Sequence, residues 1–590
     1  MYRLVITCMI FALLTSCTSK PADERHFELA VFHINDHHSN LAAKHNVTLT
    51  LAGVDTQLDI GGFPRVVTQL NTLSSRYANS LKLHAGDAIT GDLYYSLFKG
   101  HADADFMNLV CFDAFTLGNH EFDDSDANLK QLLDALAAGN CETEVLSANV
   151  IPEIGTPLAP DHQWQSFKPY TIKEFNDVKV GIIGLTIAQK TRQSSQPLPT
   201  TVFLDETETA RRYIKELKAK GIGKIILLTH YGYDNDIRLA QALPDVDLIV
   251  GGDSHSLLGN FQDVGLTPEG EYPTKLKNAS GELVCVVQGK DYSQVVGEVV
   301  LQFKGDQLTE CGGRPHMLLA DNFSRNGAAV TPAEHQQITD FISQSDTLTL
   351  VEQDAVASEM LQRYSKKVME LSSQQISELP ERLCRIAPGK LRESSCGNNM
   401  QSDLHYLVSK AFLAQSRQAD IALQNAGGVR SDLPAGPLSI AQVYQLLPFS
   451  NTLINFRMSG AEVKQVLEDA ISYSLAPGGS DGAYPQGAGI QFDVDLTAAE
   501  NNRVSNIQIQ NRETQQWQAA QPEQEYIVVT NSFIASGLDG WATFGRLQAE
   551  GRTEDTYINY AQAFIDFVKS QPQLLRPEAG SHSTRSIIHF

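Results

Sequence analysis

Five short apolar runs in the first half of the chain each end in a cluster of Asp, Asn and His, and no other feature constrains the fold as strongly. The runs lie at residues 29–34, 81–84, 114–117, 225–228 and 246–250. Runs this short, with Val, Ile and Phe among the Leu residues, fit buried strands, since a helix needs about 10–12 residues. A further run at 178–185 and the polar, helical-looking stretches between runs give a repeated strand-then-helix order. That order implies an α/β layered domain. In open α/β sheets, sites form outside the carboxyl ends of the strands. Five clusters arriving at that edge define one candidate site.

The clusters are Asn35-Asp36-His37-His38, Gly86-Asp87, Gly118-Asn119-His120-Glu121-Phe122-Asp123, Thr229-His230 and Gly251-Gly252-Asp253-Ser254-His255. Asp, His and Asn offer oxygen and nitrogen ligands without thiolate, a set suited to Mn, Zn, Fe, Co or Mg. Asp36 and His38 are two residues apart, so an extended backbone would point both side chains the same way. Glycines beside Asp87, Asn119 and Asp253 allow sharp turns next to a metal. Each cluster alone has a plain structural explanation: a turn, a helix cap or a satisfied core histidine. Their shared order and their placement after strands argue for one metal site.

Charge narrows the ligand. The chain carries 46 Lys+Arg against 69 Asp+Glu, a formal net charge of −23. That balance argues against nucleic acid or an anionic membrane as a partner, because both need a basic surface. An anionic small molecule would require local reversal of the field, by metals or a few placed Arg residues.

The N-terminus has the pattern of an export signal. One positive charge at Arg3 precedes an apolar run at 4–14, too short to span a bilayer. Leu14-Thr15-Ser16-Cys17 is similar to a bacterial lipobox, so Cys17 is expected to carry lipid, and Thr18 after it favours the outer membrane. Besides Cys8 and Cys17, six cysteines remain: Cys111, Cys141, Cys285, Cys311, Cys384 and Cys396. An even number in an exported chain implies disulfides. Short loops close most easily, which favours the sequential pairs 111–141, 285–311 and 384–396.

Further along, Thr331-Pro332-Ala333-Glu334 has the form of a capping box with Pro at the first helical position. Val356, Met360, Leu361, Tyr364, Val368 and Leu371 fall near helical spacing. After Pro380 the pattern changes to mixed strands, helices and Gly-rich turns, which places a second domain there.

Taken together, these motifs resemble the 5′-nucleotidase family of calcineurin-like metallophosphoesterases, and the resemblance covers nearly the whole mature chain. It implies an α/β fold (α+β overall): a four-layer α/β/β/α metallophosphoesterase domain at 25–330, a helical linker and hinge at 331–378, and a C-terminal mixed α/β nucleotide-binding domain at 379–590, after a signal at 1–17. It implies two divalent metal ions (Zn, Mn, Co or Mg). Asp36, His38, Asp87 and His255 would hold one; Asp87, Asn119, His230 and Asp253 the other. His120, oriented by Asp123, would be the catalytic dyad. The family commonly has His where this chain has Asp253, and Asp-Ser-His here is more like the NAD nucleotidases.

The resemblance extends to the substrate. Asn425-Ala-Gly-Gly-Val-Arg430 matches the family's substrate loop, with Asn425 on the nucleoside, Gly428 allowing close approach and Arg430 on the phosphate. Phe449 and Phe533 would sandwich the base, and Asp539 would accept hydrogen bonds from the ribose. Arg392 would grip phosphate, while a second expected Arg position holds Cys396. The implied activity is a 5′-nucleotidase acting on AMP-class nucleotides, with pyrophosphatase activity on NAD or UDP-sugars, for nucleotide salvage. Rival readings on the same scaffold are a cyclic-nucleotide phosphodiesterase, a thiol hydrolase, or a non-catalytic nucleotide-binding lipoprotein.

Overall fold

A computed structural model describes residues 25–385, 402–447, 449, 451–476, 481–578 and 580–588. The signal segment with Cys17, together with Arg392 and Cys396, lies outside the described residues.

The N-terminal unit is built on two facing sheets. In the first, His26–Ile34 pairs in parallel with Ser80–His84, which is followed by Ala114–Thr116 and Glu144–Leu146. On the other side of His26–Ile34 lie the antiparallel strands Val295–Lys304 and Gln307–Leu319. In the second sheet, Val178–Thr186, Lys224–His230, Leu248–Gly251 and Leu283–Gln288 run parallel, with antiparallel strands at both edges.

These strands read as continuous apolar runs because both of their faces are buried. Successive residues point to opposite faces of a sheet. In His26–Ile34, Leu29 and Val31 therefore enter the layer between the sheets, where they meet Ile226, Leu228, Leu248 and Val250. Ala30, Phe32 and Ile34 face the outer helices Phe63–Ser74, His101–Val110 and Ser125–Ala137. On the far side, Ile225 and Leu227 pack against Glu206–Ala219 and Tyr233–Ala242. The layers run α/β/β/α. Burying each Leu or Ile contributes about 1.5–3 kcal/mol, and the central layer is therefore what holds the two sheets together.

Two of the expected disulfides are present. Cys111–Cys141 ties the end of one outer helix to the segment after the next. Cys285–Cys311 crosses the central layer from the second sheet to the first. Cys285 is in register with Leu248, so the crossing lies toward the amino ends of the parallel strands.

The capping box at Thr331 forms, with Thr331 and Glu334 side chains each bonded to the other's backbone N–H, and starts the helix Pro332–Gln344. In the next helix, Ala355–Ser372, Met360, Leu361, Tyr364 and Val368 pack on the first unit's core. Val356 is 61% exposed, so the apolar stripe begins one turn later than the spacing implied.

The C-terminal unit has a five-stranded sheet ordered Pro485–Ala488, Ile421–Asn425, Glu525–Asn531, Thr452–Ser459, Thr553–Asn559. Asp403–Gln415 and Tyr560–Lys569 cover one face, and Gly460–Leu475 and Ala542–Ala549 the other. Leu93 and Leu97 of the first unit pack against the second unit's core.

Candidate metal centre and nucleoside pocket

The five clusters converge, but not on one sheet. Asp36, Asp87 and Asn119 follow strands of the first sheet, whereas His230 and Asp253 end or follow strands of the second. The site lies across the carboxyl ends of both sheets. The expectation of a single sheet edge is corrected in that respect.

The local backbone also differs from expectation. Asp36 and His38 have φ of 48° each, so the pair is not extended but left-handed, just past the end of His26–Ile34. Asp87, Asp253 and His255 are left-handed too, at φ 53°, 78° and 54°. Asp and His tolerate this region better than most residues, yet each such conformation costs on the order of 1–2 kcal/mol. Residues held this way persist only where their surroundings over-determine them, and they cluster at functional sites. Gly118 is required for a different reason: a Cβ there would sit 2.1 Å from Asp87 Oδ1.

Hydrogen bonds then aim the ligand atoms inward. His38 Nδ1 donates to the carbonyl of Thr90 at 3.0 Å, and His230 Nδ1 to the carbonyl of Ala85 at 2.8 Å. Both rings therefore present Nε2 to the centre. His255 Nδ1 lies 3.1 Å from Asp291 Oδ2, a carboxylate behind an imidazole, the usual support for a metal-ligating His. Asn35 Nδ2 donates to Asp36 Oδ2 at 2.5 Å. Glu121 accepts from the backbone N–H groups of Asp87, Ala88 and Gly118, which fixes two of the loops to each other.

The resulting cluster is dense. Ligand atoms of Asp36, His38 and His255 lie within 4.8 Å of one another, as do those of Asp36, Asp87 and His230, and those of His38, Asp87 and His120. Both side-chain polar atoms of Asn119 and His120 Nε2 are buried without a hydrogen-bond partner, while Asp87 Oδ2 and His230 Nε2 face each other at 2.9 Å. Leaving such atoms unsatisfied costs about 1–3 kcal/mol each, more for charged groups. Divalent cations bound among them would satisfy this oxygen and nitrogen set, so the residues fit the metals implied by the sequence.

Asp253 is placed differently from the rest. Its Oδ1 accepts from Lys190 Nζ at 2.7 Å and lies 3.6 Å from His230 Nε2. Its backbone N–H donates to both oxygens of Asp36 at 3.2 Å. Burial opposes the charge on Lys190, but Asp253 and Asp87 outweigh it and raise its pKa. His120 Nδ1 sits 2.5 Å from Asp123 Oδ2, which leaves Nε2 directed at the cluster.

The residues expected to take the nucleoside meet in the C-terminal unit. Asn425, Gly428, Arg430, Phe449, Phe533 and Asp539 line a cavity of 260 Å³, joined by Gly427, Asn451 and Gly482. Phe449 and Phe533 are 45% and 37% exposed, which removes the explanation that they are core residues. Asn425 accepts from Asn531 Nδ2 at 3.1 Å, and its own Nδ2 faces Asp539 Oδ2 at 3.5 Å. His405 Nε2 donates to the carbonyl of Ala426 at 2.7 Å and so supports this loop from below.

Several participants carry no sequence signal. Lys190 is a single lysine on the short helix Ala188–Ser194, and Tyr557 comes from the strand Thr553–Asn559 of the other unit. Glu121 lies inside a motif, but nothing in the motif distinguishes it from a surface carboxylate.

Comparison with known proteins agrees with this geometry. The calcineurin-like phosphoesterase family matches residues 29–257, and the 5′-nucleotidase C-terminal domain matches residues 384–546. The chain is 37% identical to the NAD 5′-nucleotidase of Haemophilus influenzae, covering 97% of this chain and 95% of that one. It is 34% identical to the probable 5′-nucleotidase of Treponema pallidum, covering 96% of each. The structure of the Haemophilus influenzae NAD nucleotidase superposes with a TM-score of 0.89 at 36% identity, covering 96% of this chain and all of that one. With a donor cluster spanning two sheets in one unit and an aromatic-lined pocket in the other, the chain belongs to the 5′-nucleotidase family of calcineurin-like phosphoesterases and is a metal-dependent phosphohydrolase.

Proposed function

We propose that the protein releases phosphate from nucleoside 5′-monophosphates and also cleaves the diphosphate bond of NAD, using one metal centre for both. The observation that carries this is the pocket bounded by Phe449, Phe533 and Asp539 in a chain that also gathers Asp36, His38, Asp87, His230 and His255. Two half-exposed aromatic faces suit a purine or pyridine base, because stacking is tolerant of base identity. They favour a nucleotide over the substrate of a thiol hydrolase.

Asp36, His38, Asp87 and His255 would hold one cation, and Asp87, Asn119, His230 and Asp253 the other. Bound divalent ions supply Lewis acidity and a water of lowered pKa. His120, held by Asp123, points Nε2 at the cluster and gives a proton to the departing oxygen. When that oxygen belongs to a nucleoside, the reaction is that of a 5′-nucleotidase. When it belongs to a nucleotide, the reaction is that of a pyrophosphatase. Arg430 holds the phosphate and Asp539 the ribose.

The proposed setting is outside the cytoplasm, anchored through lipid on Cys17, in nucleotide salvage. The apolar run before Leu14-Thr15-Ser16-Cys17 and the disulfides Cys111–Cys141 and Cys285–Cys311 support export to an oxidising compartment. Phosphate release from AMP, and nucleoside monophosphate release from NAD and a UDP-sugar, with and without chelator, test the activity. No chelator-sensitive turnover of any of the three would refute it.

A further inference from the structure

The side chain of Tyr557 fills a chamber that it does not help to build. Its ring stacks on His255 at 4.3 Å between centroids and lies 5.4 Å from His38 and 5.3 Å from His120. Lys190 Nζ stands 4.2 Å from the centroid of the same ring. Its hydroxyl donates to the carbonyl of Asp253 at 2.7 Å. These contacts belong to the N-terminal unit and the ring to the C-terminal one, whose buried Asp555 carboxylate also acts on Lys190. Three imidazoles of the metal and catalytic set therefore share one chamber with an ammonium group. Substrate phosphate must enter this chamber to reach both the donor set and His120.

Charge gives the ammonium a task. Asp253 sets one more negative charge beside Asp36 and Asp87. Lys190 returns one positive charge at 2.7 Å. A lysine ammonium has three donors, and Asp253 takes one of them. In a chain of net charge −23, a cation already facing the chamber is what an incoming phosphate dianion needs.

We propose that Lys190 is a phosphate-binding residue of the active centre: once Tyr557 is withdrawn, its ammonium contacts the non-bridging oxygens of the phosphoryl group while keeping Asp253 in place. This rests on the phosphohydrolase reading and departs from a scheme in which phosphate is held only by arginines of the C-terminal unit.

The test uses the purified full chain with Lys190→Met, Lys190→Arg and Lys190→Met/Asp253→His. Three quantities are read: AMP turnover, inhibition by inorganic phosphate, and Mn²⁺ affinity of the metal-stripped protein by calorimetry. A lost charge-assisted contact raises the phosphate Ki of Lys190→Met by about 10- to 100-fold. Mn²⁺ affinity is unchanged or tighter, because removing a cation beside a cation site does not weaken it. Lys190→Arg stays within about threefold of wild type, since its charge is kept. The double variant keeps most of the loss, because it still lacks the ammonium; full recovery would show that Lys190 only offsets the Asp253 carboxylate and would overturn the proposal. An unchanged phosphate Ki in Lys190→Met overturns the proposal. A Ki that rises only together with a loss of Mn²⁺ affinity overturns it too, since Lys190 would then merely hold a ligand in place. Lys190→Gln replaces Lys190→Met if the latter does not fold. If wild type fails to turn over AMP, the functional reading fails. Phosphate binding measured directly by calorimetry still decides the role of Lys190.

Discussion

Tyr557 Oη and the Asp253 carbonyl lie 2.7 Å apart, joining two residues 304 positions distant in sequence and belonging to different units. In this arrangement a C-terminal side chain covers the donor set, and the proposed turnover predicts that it withdraws. Tyr557→Phe removes one hydrogen bond, worth about 1 kcal/mol, and keeps the ring. The uncapped fraction is expected to rise about fivefold and the KM for AMP to fall by a similar factor. Steady-state kinetics on the variant checks this, and an unchanged KM would show that the contact does not gate access.

The His120–Asp123 contact predicts a loss of rate without a loss of metal. His120→Asn is expected to lower kcat by about 10²- to 10⁴-fold, the range for a general acid. Asp123→Asn frees the ring and gives a smaller loss of the same kind. Elemental analysis of both variants should show the metal content of wild type.

Base stacking is separable from chemistry. Phe449→Ala and Phe533→Ala should each weaken AMP by about 1–3 kcal/mol, or roughly 5- to 150-fold in KM. Hydrolysis of p-nitrophenyl phosphate, which has no base or ribose, should be almost unaffected. A parallel loss on both substrates would argue against the sandwich.

His405 gives a pH dependence whose sign is fixed. Burial lowers its pKa to about 4, against about 6.5 in the unfolded chain. The unfolded state therefore binds the extra proton first. The stability supplied by the neutral ring is present above pH 6.5, falls as the pH drops through that value, and levels off below about pH 4. The full loss is on the order of 3 kcal/mol. His405→Gln can still donate to the Ala426 carbonyl and should flatten this part of the Tm-against-pH curve.

The metal centre and its surroundings differed in how much the sequence revealed. Asp36, Asp87, Asn119, His230 and His255 were legible because each ends an apolar run, and strand ends are where α/β sheets place polar side chains. The backbone at Asp36 and His38 was not: two-residue spacing implies an extended strand, but the chain leaves the sheet at Ile34 and turns left-handed. Lys190 and Tyr557 were invisible for another reason. Their neighbours are set by docking of the helix Ala188–Ser194 onto the site and of one unit onto the other, and nothing local distinguishes them from a solvated lysine or an ordinary strand tyrosine. Phe449 and Phe533 needed the fold to show that they face a cavity.

The Cys285–Cys311 bridge acquires a meaning from where the metal centre lies. The bridge crosses between the sheets toward the amino ends of the parallel strands, while the donor set spans the same two sheets at their carboxyl ends. The sandwich is thus stitched at one end by a covalent bond, and metals held by these residues would stitch the other. Each stitch depends on the surroundings: the first needs an oxidising milieu and the second a supply of divalent ions. Reductant and chelator pull on opposite seams, and the protein is fully fastened only where both conditions are met.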